Sequence, residues 1–310
     1  MSTAINVRNI TINQTYSWRE WFILLLHLGK IKISLLATLS TATGYLLATG
    51  NITIHMFAPA AAVLLLACGS CALNQYQERE IDGLMERTRS RPIPSRKLEP
   101  AMALWIASSL IFAGSVILFY VSGLVPLALG LLAVLWYNGL YTHLKQKTAF
   151  AAIPGALVGS IPPILGWVSG GGNILDPRIW GISIFFFVWQ VPHFWLLLLD
   201  FSRDYEKAEL PSITKIFSTG QIKRIIFIWL LSTGISGLSI FSSHLIHLRF
   251  IHFFLLGSTF WHIRNSFHFF RSYSQGADLR TAFAKLNIYA VVVLFLVSSD
   301  RLLIQTHYQF

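Results

Sequence analysis

Asn74, Glu78 and Asp82 recur at every fourth position in the stretch CALNQYQEREIDGLMERTRSRPIPS, from Cys71 to Ser95. On a helix turning ~100° per residue they fall within a sector of about 80°, so they share one face. Glu80 and Glu86 lie outside that sector and read as surface or salt-bridge acids, and Gly83 marks a place where the helix can stop. A second acidic end, WQVPHFWLLLLDFSRDYEKAELPS, sets Asp200 and Asp204 one turn apart. Continuing the wheel backwards puts His193 and Gln190 in the sector of the two aspartates. The stripe then runs on the order of 10 Å from Asp200 to His193, with Pro192 distorting it somewhat.

Carboxylates arriving from two helices, with Arg79, Arg89, Arg91, Lys145 and Arg203 close by in sequence, call for a partner that satisfies both signs. Mg²⁺ takes oxygen ligands from carboxylates and phosphates and usually keeps water. A diphosphate would bridge such a metal to the basic groups, Arg acting as a fork and Lys as a point charge. A substrate that carries a diphosphate at a membrane surface extends the rest of itself into an apolar cavity, and a prenyl chain fits. Stabilising charge on the leaving diphosphate lets the C–O bond break towards an allylic cation. Housing that cation between helices keeps water away until an acceptor captures it.

The elements that must position these groups are membrane helices. With 54% hydrophobic and 12% charged residues in 310, the composition is not that of a soluble domain. Runs long enough to cross a bilayer, about 20 residues each, fall at 32–49, 55–74, 101–121, 124–141, 150–168, 179–199, 225–243, 249–267 and 283–299, the eighth being the weakest. The expected fold is all-α: a polytopic membrane protein of about nine transmembrane helices around a central cavity open toward the cytoplasmic side. Residues 1–310 read as a single domain, with residues 1–30 a cytoplasmic or interfacial segment. Trp18, Trp21 and Phe22 beside Arg19 and Glu20 suit an interfacial helix better than a cleaved signal peptide.

On this nine-span arrangement 21 of the 24 Lys and Arg lie on the side of the N-terminus, leaving Arg178, Arg249 and Arg301 elsewhere. The positive-inside rule then places the N-terminus in the cytoplasm and the C-terminus across the membrane. Spans two and six end on the same side, so the acidic clusters can meet. The formal charge of +11 is mostly membrane topology and contact with the lipid bilayer, and no soluble basic domain exists to bind nucleic acid. Cys68 and Cys71 form a CxxC within an apolar run and read as small residues easing helix packing rather than as a redox pair.

Taken together, these residues resemble the UbiA superfamily of intramembrane prenyltransferases, with nine helices and two acidic motifs. The likeness extends to its protoheme IX farnesyltransferase branch through NxYxxRxIDxLMxRTxxRP in residues 74–92, YTHLKQKT at 141–148, GSIPPILGW at 159–167 and WQVPHFW at 189–195. DYEKAELPS at 204–212 matches in its Asp-Tyr, Ala and Pro, and the blocks fall in order over roughly residues 25–300. The resemblance implies farnesyl transfer from farnesyl diphosphate to a vinyl group of protoheme IX (heme b), with water adding to give heme O. It implies Mg²⁺ as cofactor, heme as substrate, the inner membrane as location and a heme A synthase as downstream partner. Carried across, Asn74, Glu78, Asp82, Asp200 and Asp204 hold the metal and do the catalytic work. Arg79, Arg91, Lys145 and Arg203 serve the diphosphate, and His193, Gln190 and Trp195 face the heme acceptor, His193 as an iron ligand or as a propionate or vinyl neighbour.

The chain also departs from that pattern. Glu78 and Glu80 stand where aspartates are expected, Arg203 where a second adjacent acid is common, and Asp200 where an aromatic is usual. One rival is a prenyltransferase of the same superfamily acting on an aromatic quinone precursor; PPILGW and PHFW favour heme. The other is a non-catalytic heme or small-molecule transporter, since polar stripes between helices also build transport sites. Against it, the acidic motif has no internal repeat beyond a loose echo between spans two and six.

Overall fold

The structure is a computed structural model and describes residues 17–243, 245–272 and 277–308; the first sixteen residues of the expected N-terminal segment, Arg8 among them, lie outside this range. All regular structure among the described residues is helical. An interfacial helix α1 (Trp18–Leu28) leads into α2 (Ile31–Thr49), α3 (Phe57–Gln77) and a short α4 (Arg79–Leu84). Then come α5 (Pro100–Ser122), α6 (Leu124–Leu135), one π-helical turn at Trp136–Tyr141, and the short α7 (Thr142–Leu144) and α8 (Ala152–Gly155). The chain closes with α9 (Leu157–Ser169), α10 (Pro177–Asp200), a short α11 (Ser202–Lys207), α12 (Thr219–Ser242), α13 (Arg249–Ser272) and α14 (Ala277–Tyr308).

Among the described residues, eight segments are long and apolar enough to cross a membrane. They match the expected spans except the eighth, α13, which is 24 residues long but carries Arg264, His268 and Arg271 in its second half. It packs between α12 and α14.

Local sequence explains where the helices begin. Ser17 and Glu20 form a capping box at α1, Ser218 and Gln221 do the same at α12, and Asp176 with Pro177 at the first turn starts α10. Lipid gives helices no hydrophobic reason to associate, so close backbone approach has to hold them together. Gly44 of α2 and Gly166 of α9 supply it: a Cβ on Gly44 would collide with the Pro163 carbonyl, and one on Gly166 with that of Thr41. Cys68 packs against Gly29, and both cysteines are free, in keeping with a packing role. The largest buried cluster centres on α10, with Phe185, Phe186 and Leu196 meeting Ile226, Leu286 and Tyr289 of α12 and α14. Trp105, Phe112, Tyr120 and Leu135 stand exposed on α5 and α6, as lipid-facing side chains should. At the end of the bundle remote from the acidic motifs, Asp300 is fully buried because it accepts the backbone N–H groups of His247 and Leu248 just before α13.

Candidate active site

Both acidic helix ends break before they reach their last carboxylate. Glu78 leaves the α3 geometry at φ −101°, ψ 8°, and the chain resumes as the six-residue α4. The i→i−4 bonds Glu78 N to Asn74 O (3.0 Å) and Asp82 N to Glu78 O (2.8 Å) survive, so Asn74, Glu78 and Asp82 stay on one face as the spacing predicts. All three are buried. Arg91 donates to Asp82 Oδ2 at 2.6 Å, and Lys145 pairs with Glu78 Oε1. Glu80 faces outward beside Arg79, and Glu86 reaches Lys207 at 2.8 Å. That ammonium's hydrogen bond holds the Glu86 carboxyl below its ordinary value.

The second end breaks at Phe201 (φ −112°, ψ 24°), and this separates its two aspartates. Asp204 is buried and accepts the Arg87 backbone N–H at 3.0 Å; Asp200 turns to Arg280 of α14, whose Nε lies 3.1 Å from both carboxylate oxygens. A single helical wheel through 193, 200 and 204 fails here because the wheel assumes an unbroken helix. The two ends do meet: beyond the Arg87–Asp204 bond, Met85 packs with Ala208 and Leu210 in one small cluster.

Several positions come out differently placed from the acids. Arg79 lies over the Tyr76 ring, donates to the Tyr76 carbonyl and pairs with the exposed Glu80, and Arg203 is exposed. Trp195 is buried, donating to the Ala149 carbonyl and meeting Trp229 edge to face. The Gln190 carbonyl oxygen is buried against the Gly159 backbone, without a hydrogen-bond partner among the described residues. His193 sits between Trp189 and Phe283, ring centroids 4.7 Å away on each side, and its Nδ1 is 2.8 Å from Asn287 Oδ1. Because Asn287 Nδ2 donates to the Phe283 carbonyl at 2.8 Å, its oxygen faces the histidine. Nδ1 therefore carries the proton, and Nε2 keeps its lone pair.

Spacing alone did not expose three further features. Lys30 occupies the left-handed region (φ 45°), and its ammonium donates to Asn74 Oδ1 at 2.8 Å. Burial pushes that ammonium down to about 8. A non-glycine residue held at positive φ is costly and marks a constrained site, but nothing in the one-letter code signals it. The π-turn at Trp136–Tyr141, a type of turn often found at functional sites, aims Tyr137 at Asn74 (3.4 Å) and stacks Tyr137 on Tyr141 at 5.6 Å. Tyr141 in turn stacks on Phe194 at 5.4 Å, and Phe194 meets His193 edge to face at 6.0 Å. An aromatic ladder thus runs from the Glu78–Lys145 pair to His193. Asn138 locks the turn in place through Ser70 and Gln77 of α3, which joins it to the acid-bearing helix.

Residues 37–289 match the family model for the UbiA prenyltransferase family. The chain belongs to that family. It is 40% identical over 187 residues (60% of this chain, 69% of the relative) to a protoheme IX farnesyltransferase of Geobacter sulfurreducens. To one from Bacillus licheniformis it is 32% identical over 237 residues, 74% of this chain and 75% of that one. Among solved structures, a digeranylgeranylglyceryl phosphate synthase superposes with a TM-score of 0.72 over 91% of this chain and 98% of the other at 15% identity. A UbiA homolog from Archaeoglobus fulgidus bound to geranyl diphosphate (GPP) and Mg²⁺ gives 0.61 over 89% and 99% at 12% identity. At such identities these two show a shared fold, the UbiA arrangement of membrane helices.

Mg²⁺ fits the residues present. Asp82 Oδ1 is buried with no hydrogen-bond partner among the described residues, and Glu78, Asp204 and the Asn74 carbonyl offer hard oxygen donors. No three His, Cys, Asp or Glu side chains among the described residues gather closely enough to hold an ion by themselves. Substrate oxygens and water therefore have to complete the shell, as Mg²⁺ prefers.

Proposed function

We propose that this chain transfers the farnesyl group of farnesyl diphosphate to a vinyl group of protoheme IX, giving heme O. The observation that supports it best is the ladder Tyr137–Tyr141–Phe194–His193, which joins a carboxylate-and-cation cluster to a histidine whose Nδ1 is held by Asn287 and whose Nε2 keeps its lone pair. The names of the relatives agree with that reading.

Glu78, Asp82 and Asp204, with the Asn74 carbonyl, are the groups to hold Mg²⁺. Bound there with the substrate, Mg²⁺ supplies positive charge against the departing diphosphate. Arg91, Lys145 and Lys30, which pair with the acids and with Asn74, are the cations to turn to the phosphate oxygens of a bound diphosphate. As the C–O bond breaks, its electron pair leaves with the diphosphate. Tyr141, beside Lys145 and between Tyr137 and Phe194 in the ladder, offers its π-system to the allylic cation. The vinyl π-electrons form the new C–C bond, and water captures the resulting cation at the carbon next to the ring, losing a proton to leave the hydroxyl. His193 orients heme by its Nε2, as iron ligand or as neighbour of the reacting edge, and Gln190 lies one turn away along α10. Asp200, Arg79, Arg203 and Trp195 take supporting places around this centre.

Residues 1–310 act as one domain in the inner membrane, with the N-terminus cytoplasmic and the C-terminus opposite, and a heme A synthase consumes the product. The test is to incubate detergent-purified protein with Mg²⁺, farnesyl diphosphate and protoheme and to look for heme O by mass. Product with 4-hydroxybenzoate and none with heme would move the chain to the aromatic-acceptor branch. No diphosphate release with any acceptor would leave a non-catalytic membrane protein.

A further inference from the structure

The least apolar long helix raises a separate question. Arg264, His268 and Arg271 lie at i, i+4 and i+7 on α13, on one face, and each is exposed. With Asn265 and Phe267 of α13 and Lys285 of α14 they line a cleft of about 400 Å³ between the two helices. Lys285 is fixed there: its ammonium donates to Asn265 Oδ1 at 2.7 Å, and Asn265 Nδ2 donates to the Trp261 carbonyl at 2.7 Å. An ammonium has three donors, so two remain for a ligand. No carboxylate lines the cleft, and among the described residues no salt bridge engages Arg264, Arg271 or Lys285.

Positive-inside orientation would be met by cations scattered anywhere in the neighbouring loop, but here they converge on one concavity. Below it, Phe253, Phe260 and Phe267 recur every seventh residue on α13, 73%, 71% and 45% exposed. Gly257 opens a notch between the first two, where an added Cβ would meet nothing within 4 Å. A cationic cleft continuous, through Phe267, with a stripe of exposed aromatic side chains matches a molecule with an anionic head and an apolar tail. The Asp200–Arg280 pair places this end of α14 on the same membrane side as the acidic motifs, away from the buried Asp300.

We infer that the α13–α14 cleft binds the phosphate of an anionic phospholipid, whose acyl chains lie along the Phe253, Phe260 and Phe267 stripe. The cleft lies outside the farnesyl-transfer site, on the outer face of the bundle.

The full-length protein, stripped of lipid in detergent, is exposed to vesicles of phosphatidylcholine containing phosphatidylglycerol, and the lipids that stay bound are counted by native mass spectrometry. The wild type is expected to retain phosphatidylglycerol over phosphatidylcholine, and Arg264→Gln/Arg271→Gln/Lys285→Gln to lose that preference by about fivefold per charge removed, the factor that membrane-surface cations contribute. Phe260→Ser keeps the charges and is expected to weaken retention of long-chain but not short-chain phosphatidylglycerol. Unchanged thermal unfolding and heme O production identify folded variants, and Lys285→Gln alone serves if the triple variant does not fold. Equal retention by wild type and a folded variant overturns the proposal, as does no preference for phosphatidylglycerol. Complete displacement by millimolar inorganic phosphate overturns it too, in favour of a site for a soluble anion.

Discussion

At Glu78 and at Phe201 the backbone does the same thing: it leaves a membrane helix, at φ −101°, ψ 8° and at φ −112°, ψ 24°, and re-forms as a six-residue helix docked on the bundle's end. What differs is which side chain sits at the break. At the first, the break residue is itself a carboxylate, so Glu78 and Asp82 both stay inside, where Lys145 and Arg91 meet them. At the second it is a phenylalanine, which takes the Arg87 guanidinium over its ring at 4.8 Å, while Asp204 comes inward and Asp200 stays on the wall with Arg280. The loose echo in sequence is therefore a repeat of backbone shape, and the two ends divide the work unequally: the first brings two acids with two cations, the second one acid fastened by a backbone N–H.

The most severe way to probe that inequality is to neutralise one acid at each end. Asp82→Asn and Asp204→Asn are expected to lower kcat for heme O formation by on the order of 10²–10³-fold each, the scale of losing one preorganised charge at a leaving group. Both proteins should still insert and superpose by circular dichroism. If Asp204→Asn keeps near-normal turnover, the second end is only a structural cap, and the first works alone.

Next in size is Lys30, which belongs to neither end yet holds Asn74. Lys30→Met should cost roughly 10- to 100-fold in kcat/KM for farnesyl diphosphate, the range for losing a hydrogen bond to a charged group. Lys30→Gly separates the charge from the backbone, since glycine accepts φ 45° without strain. If the glycine variant is active and the methionine variant is not, the lysine matters only for how the α1–α2 turn is shaped.

The contrast between the ends also explains what could be read in advance. Helix number, span limits and the inward face of Asn74, Glu78 and Asp82 were legible because apolar run length and fourfold spacing are local properties, and the i→i−4 bonds through Glu78 keep that spacing valid. The stripe through Asp200 was not, because one residue at φ −112° resets the wheel, and phenylalanine gives no warning of it. Lys30 and Asn287 escaped for another reason: their partners, Asn74 and His193, lie 44 and 94 residues away. The π-turn at Trp136–Tyr141 inserts an extra residue per turn that no 3.6-residue periodicity can register, and it aims both tyrosines of the ladder.

Tyr141 offers a milder test, on the path both ends share. Tyr141→Leu removes the π-face between Lys145 and Phe194 and is expected to lower kcat by about 2- to 30-fold, the span of one cation–π contact. Tyr141→Phe should stay within about twofold of wild type, because the ring and its stack remain. Equal loss in both variants would assign the effect to the hydroxyl and take the ring out of cation stabilisation.

The smallest effect should come from Asp200, where the wheel and the structure part company. Its carboxylate shares Arg280, 75% exposed, and a pair with one partner so open to solvent is worth ~0–1 kcal/mol. Asp200→Asn should therefore change kcat by less than about fivefold and leave the Mg²⁺ concentration for half-maximal rate where it was, while Asp204→Asn raises it. Arg280→Gln sharpens the point: it releases Asp200 without removing it. If the released carboxylate can reach the diphosphate site, that variant will need less Mg²⁺ than wild type; if Phe201 has turned it away for good, the titration will not move. A rise in Mg²⁺ demand for Asp200→Asn as large as for Asp204→Asn would mean that the two aspartates act as the pair their spacing suggests, and that the break at Phe201 does not divide them.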